Sequence, residues 1–103
     1  LWDKQAVRQK LATLAARVEA ARALVYATAW RAARGEECTR EVSMVKAVCG
    51  ELVNEVLYAC VQFHGGMGYM RESAIERMAR DARIQAIGGG ATEVMLEEVA
   101  KRL

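Results

Sequence analysis

The sequence predicts an all-α fold, an antiparallel helical bundle of two long helices and two shorter ones. Three observations predict it. The 103 residues include no proline, where average usage would supply about five. Aromatic residues make up only 6% of the chain and β-branched residues are few. Apolar residues return at steps of three and four over two long stretches. A chain of this length builds one hydrophobic core, so residues 1–103 read as a single helical domain. With 53% hydrophobic and 27% charged residues, it lies far from the composition that keeps chains unfolded.

The first helix is expected from Asp3 to about Arg34, with Val7, Leu11, Leu14, Val18, Ala21, Val25 and Ala29 as its apolar stripe. Arg8, Arg17, Arg22 and Arg31 fall mostly off that stripe, and Gly35 closes the helix as a C-cap. The second runs from Thr39 to about Phe63 on Val42, Val45, Val48, Leu52, Val56 and Ala59. Gly50 inside it costs about 1 kcal/mol against Ala, which points to close approach of a neighbouring helix. His64-Gly65-Gly66-Met67-Gly68-Tyr69 reads as a loop. Ser73 offers an N-cap and Glu76 its capping-box partner for a third helix from about Ala74 to Ile87. The spacings Glu72/Glu76, Glu76/Arg80 and Arg77/Asp81 give that helix an ion-paired surface. Gly88-Gly89-Gly90 interrupts it before Thr92, which can cap a short final helix carrying Val94, Met95, Val99 and Leu103.

Charge and composition exclude several functions. Lys and Arg number 15 against 13 Asp and Glu, a net +2 with the single His neutral, and no basic run is present. A nucleic-acid or anionic-membrane binder is therefore not expected. No stretch approaches the roughly 18 uninterrupted apolar residues of a membrane span, and no charged-then-apolar leader opens the sequence. The chain begins at Leu1 and reads as helix almost at once, so it is expected to be a piece of a longer polypeptide. Cys38, Cys49 and Cys60 recur every 11 residues, close to three helical turns, and so line one stripe about 16 Å apart. That separation forbids disulfides, and the cysteines read as small buried hydrophobes with no metal site.

No self-contained catalytic set is present. The lone His64 has no nucleophile whose spacing implies contact, and Gly88 to Thr92 lacks the lysine of a phosphate-cradling loop. A glycine run feeding a helix N-terminus does expose free backbone N–H groups, a ready anion site, and Thr92 and Glu93 in the first turn can bond a polar ligand. A helix corner that needs φ > 0 would use the same glycines. Both readings stand on the residues alone.

Three segments shift the weight between them. Gln62-Phe63-His64-Gly65-Gly66-Met67-Gly68-Tyr69, Glu76-Arg77-Met78-Ala79-Arg80-Asp81-Ala82-Arg83 and Ile87-Gly88-Gly89-Gly90-Ala91-Thr92-Glu93-Val94-Met95 resemble, in that order, the carboxyl-terminal end of the acyl-CoA dehydrogenase family. Gln5-Ala6-Val7-Arg8-Gln9-Lys10-Leu11-Ala12 and Glu19-Ala20-Ala21-Arg22 resemble the helix that precedes this signature, so the likeness covers the whole chain. It implies the last helical bundle of a flavoenzyme with flavin adenine dinucleotide (FAD) held between subunits. In the family reaction a Glu carboxylate removes the α-proton of a fatty acyl-CoA while the β-hydrogen passes as hydride to the flavin, giving a trans-2-enoyl-CoA. By similarity, Gln5 and the segment Gln62, Phe63, His64, Gly65 and Gly66 contact the dinucleotide half of the neighbouring subunit's flavin. Ala91, Thr92 and Glu93 sit at the chain's own flavin, and Gly90 lies at the substrate. For His64, a flavin contact and a structural role are equally open.

The chain departs from the family pattern at three places. Many relatives hold the catalytic Glu where Gly89 stands, so this chain contributes no catalytic base; a subset carries Gly there and takes the Glu from an earlier helix, which would lie upstream of Leu1. Ala91 replaces the usual Thr, and Gly88 replaces an aromatic, which would open the mouth of the acyl pocket. The resemblance further implies an acyl-CoA substrate, a homo-oligomer (dimer or tetramer), electron-transferring flavoprotein as acceptor, and a bacterial cytoplasmic or mitochondrial matrix location. The isolated chain is expected to be inactive. The alternatives are a related acyl-CoA oxidase and a non-catalytic helical interaction module.

Overall fold

The computed structural model describes all of residues 1–103, which fold into helices and turns measuring 46 × 27 × 23 Å with no strand. Helix α1 spans Gln5–Ala33 and α2 spans Thr39–Phe63. A single turn, α3, follows at Gly66–Tyr69, then α4 at Ala74–Ala82, a 3-10 turn at Arg83–Ala86 and α5 at Thr92–Ala100. Helix α2 is the centre: α1 packs along one side of it, and α4, the 3-10 turn and α5 pack along the other.

The α1–α2 pair is antiparallel and tied by ions. Lys10 and Arg17 both reach the Glu55 carboxylate, and Arg31 reaches Glu41. Hydrogen bonds from Lys10 and then Arg17 hold the Glu55 carboxyl below its ordinary range. Leu14, Ala21 and Thr28, seven residues apart, are the buried line of α1. Thr28 takes the place expected of Ala29, which is exposed, and its hydroxyl donates to the Leu24 carbonyl at 2.8 Å.

On α2 the expected stripe is only partly buried. Val42 and Val48 are 50% and 44% exposed, whereas Ser43, Ala47, Gly50, Leu52, Leu57 and Ala59 are buried. A helix packed on two sides makes its closest approaches at small residues, and its larger apolar side chains fall between the two faces. Between α1 and α2 this leaves an open apolar groove of about 370 Å³, lined by Val18, Val25 and Tyr26 facing Cys49, Val53 and Val56. Gly50 behaves as expected: a Cβ there would lie 2.7 Å from the Gln85 carbonyl oxygen of the 3-10 turn.

Five expectations are corrected in detail. The His64–Tyr69 loop contains the one-turn helix α3, because Gly68 packs so closely on the end of α2 that a Cβ would lie 2.5 Å from the Val61 carbonyl oxygen. The third helix leaves α geometry at Ala82 rather than running to Ile87. Its capping box is not formed: Ser73 makes no side-chain cap, and Glu76 is engaged by Arg80 at 2.6 Å. That is also the only one of the three proposed side-chain pairs to form; Glu72 and Glu76 carry like charges, and Arg77 stays apart from Asp81. The three cysteines are free but only half-buried, and Cys38 precedes α2, so only Cys49 and Cys60 share a helix. No helix is long and apolar enough to cross a membrane, and no cluster of His, Cys, Asp or Glu could hold a metal ion.

Candidate functional site

The sequence-derived site residues fall into two groups. The first lies where α2 ends. Gln62 and His64 are exposed, Phe63 is half-buried, and Gly65 turns the chain with φ +58°. His64 Nδ1 lies 2.7 Å from the Cys60 carbonyl oxygen. A carbonyl only accepts, so Nδ1 carries the proton and Nε2 is the atom offered outward. A Cβ at Gly65 or Gly66 would meet no heavy atom within 4 Å, so the backbone there is open to approach. Gln5, the first residue of α1, is brought to this same end by the antiparallel pairing, since Lys10 already stands at Glu55.

The second group is the glycine run and the start of α5. Gly89 and Gly90 have φ +68° and +106°, conformations that favour glycine, and a Cβ at Gly90 would meet only the flexible side chain of Met95, whose Cε lies 2.5 Å from that position. A Cβ at Gly89 would meet only Lys46 Cε, at 3.9 Å. The cap residue of α5 is Ala91, without a side-chain cap, and the N–H groups of Thr92, Glu93 and Val94 have no backbone partner. Thr92 does not cap the helix as expected; its hydroxyl donates to Glu51 Oε1 at 2.7 Å, fixing the helix start against α2.

One chain does not bring the two groups together. Thr92 stands at Glu51 and the first group at Gln62, eleven residues along α2, or about 16 Å. Beside the second group, α2 makes a set of contacts not foreseen in the sequence. Lys46 Nζ donates to the carbonyls of Gln85 at 2.6 Å and Gly90 at 3.1 Å, and Asn54 Nδ2 donates to those of Gly50 and Ala82 at 2.8 and 3.1 Å. The available signal was the i, i+4, i+8 spacing of Lys46, Gly50 and Asn54, two donors flanking a glycine on one helical face.

Comparison with known proteins places this arrangement. The model of the acyl-CoA dehydrogenase C-terminal domain matches residues 1–103, the entire chain. The chain belongs to the acyl-CoA dehydrogenase family. It is 35% identical over 99 residues to a probable acyl-CoA dehydrogenase, YngJ, of Bacillus subtilis, covering 96% of this chain and 26% of that protein. It is 40% identical over 92 residues to the caffeyl-CoA reductase-Etf complex subunit CarC of Acetobacterium woodii, covering 89% of this chain and 24% of that one. The crystal structure of a probable acyl-CoA dehydrogenase from Mycobacterium abscessus superposes with a TM-score of 0.93 at 46% identity, over 97% of this chain and 27% of that one. The chain thus spans about a quarter of the length of the acyl-CoA dehydrogenases it matches. Members of the family are FAD-dependent flavoproteins.

Proposed function

We propose that this chain is the C-terminal part of an acyl-CoA dehydrogenase that oxidises the α,β C–C bond of a fatty acyl-CoA to the trans-2-enoyl-CoA, and that it contributes flavin contacts and part of the subunit interface. The family match along the whole chain carries this reading. The residues fit a dinucleotide. Open backbone at Gly65 and Gly66, the amide of exposed Gln62 and the outward Nε2 of His64 form one polar edge. Unpartnered N–H groups at the start of α5 form another, suited to anionic or carbonyl oxygens. A separation of about 16 Å along α2 supports two flavins, the chain's own at Ala91, Thr92 and Glu93 and a neighbouring subunit's at Gln5 and Gln62–Gly66. When bound, the flavin supplies the two-electron acceptor. The chain's residues hold its polar edges and, at Gly90, bring backbone close to the thioester. Reoxidation by an electron-transferring flavoprotein is supported by the Etf complex to which CarC belongs.

The test is Gln62→Ala in the full-length protein. Its exposed amide serves no partner inside the chain, so stability is expected to stay at the wild-type level. Flavin retention is expected to weaken by about 1 to 3 kcal/mol, the scale of a lost polar contact in a desolvated site. Lower thermal stability with unchanged flavin occupancy would show that Gln62 only closes α2.

Assembly is proposed on the groove between α1 and α2 and on exposed Tyr26 and Trp30, 64% and 62% accessible. Only 12 of 103 residues are buried, which leaves the long helices short of a closed core. The 103-residue chain alone is expected to associate, as a dimer packed on these helices. Sedimentation at micromolar concentration checks it; a folded monomer would contradict it.

A further inference from the structure

Beyond the contacts assigned to the flavin, we propose that Lys46 is a positioning residue, its ammonium setting the path of the Gly88–Gly90 run. The chain between α4 and α5 is bonded within itself only as far as Gly88, where the N–H groups of Ile87 and Gly88 donate to the Ile84 carbonyl at 3.0 and 2.8 Å. Helix α4 ends at Ala82, four residues continue as 3-10 helix, and two of the three following glycines lie at positive φ. Loss of α geometry changes the partners of these carbonyls: in a continuing helix, those of Ala82 and Gln85 would accept from the N–H groups four residues ahead.

Helix α2 replaces those donors. Asn54 Nδ2 takes the Ala82 carbonyl and Lys46 Nζ takes that of Gln85, while Gly50 between them lets the turn sit against the α2 backbone. Lys46 also reaches past the turn to the Gly90 carbonyl, so one ammonium bonds the chain before the glycines and at the last of them. Its stem lies beneath Gly89, with Cε the sole heavy atom near the place of a Cβ there. Among the side chains, Lys46 alone ties the 3-10 turn to the last glycine of the run. Glycine offers no side-chain packing, so without that bridge the run has many conformations of similar energy. With it, Gly90 and the free N–H groups of α5 are presented in one arrangement.

The consequence for catalysis rests on the proposed function; the structural part does not. The experiment compares wild type, Lys46→Met and Lys46→Arg in the full-length enzyme. In Lys46→Met, amide exchange over residues 84–93 is expected to quicken about tenfold while that of α1 stays unchanged, with or without flavin. Per bound flavin, kcat on an acyl-CoA is expected to fall about tenfold, with KM moving less than threefold. Lys46→Arg, which keeps the donors, is expected to recover at least a third of the lost kcat. A merely structural lysine would lower melting temperature and leave kcat per loaded site intact. Unchanged exchange, or faster exchange with unchanged kcat, overturns the proposal. A wild-type protein that neither holds flavin nor oxidises acyl-CoA overturns the proposed function instead, and the exchange comparison then still decides whether Lys46 orders the run.

Discussion

Gly50→Ala is expected to destabilise the protein by about 1 to 3 kcal/mol, although the residue lies inside a 25-residue helix where alanine is intrinsically preferred. Two effects compete. Alanine improves helix propensity by about 1 kcal/mol. Against that, its Cβ would stand 2.7 Å from the Gln85 carbonyl oxygen and 3.3 Å from Ala86 Cα, both backbone atoms that no side-chain rotation can move aside. The Gln85 carbonyl cannot retreat cheaply, because Lys46 holds it at 2.6 Å and the same shift would loosen Asn54 from Ala82. Overpacking therefore outweighs propensity. In a domain of this size each kcal/mol moves the melting temperature by about 4 to 8 °C. Thermal unfolding reads the result directly, and a variant as stable as wild type would mean that the 3-10 turn is free to move off α2.

In the full-length enzyme, removal of a catalytic Glu lying outside this chain is expected to cost a factor of about 10² to 10⁴ in α-proton exchange, whereas Glu93→Gln costs little. By the family resemblance Gly89 occupies the position proposed for the base, and glycine carries no carboxylate. The carboxylate next nearest in sequence is Glu93, in the first turn of α5 and proposed to border the flavin. The proposed base is accordingly a Glu on a helix upstream of Leu1. Gly89→Glu in the variant lacking that Glu is expected to restore part of the exchange. Space is available, since a Cβ at Gly89 would touch only the flexible Lys46 stem at 3.9 Å. Recovery is incomplete because φ +68° suits glycine, and a non-glycine residue held there costs on the order of 1 to 3 kcal/mol. Exchange of the α-proton of a bound acyl-CoA measures all three variants. Full exchange without the upstream Glu would overturn the assignment and make Glu93 the residue to remove.

The sequence by itself determined the helical class, the bounds of the two long helices to within two residues and the placement of both glycine breaks. Each of these is local: absence of proline, apolar recurrence at three and four, and clusters of glycine act within a few residues of themselves. It also determined the family, because the segments from Gln62 to Met95 keep their order and spacing. What it left undecided depends on partners distant along the chain. The third helix keeps its apolar period to Ile87, yet α geometry stops at Ala82, where donors from Asn54 and Lys46, 28 and 39 residues before their acceptors, take over the carbonyls. Thr92 reads as a cap by type, but Glu51, 41 residues earlier, claims its hydroxyl. Val42 and Val48 fit an apolar stripe, and only packing on both sides of α2 decided that Ala47 and Gly50 would be buried instead. A local pattern fixes which helices form; which side chains complete them is settled by the elements that fold against them.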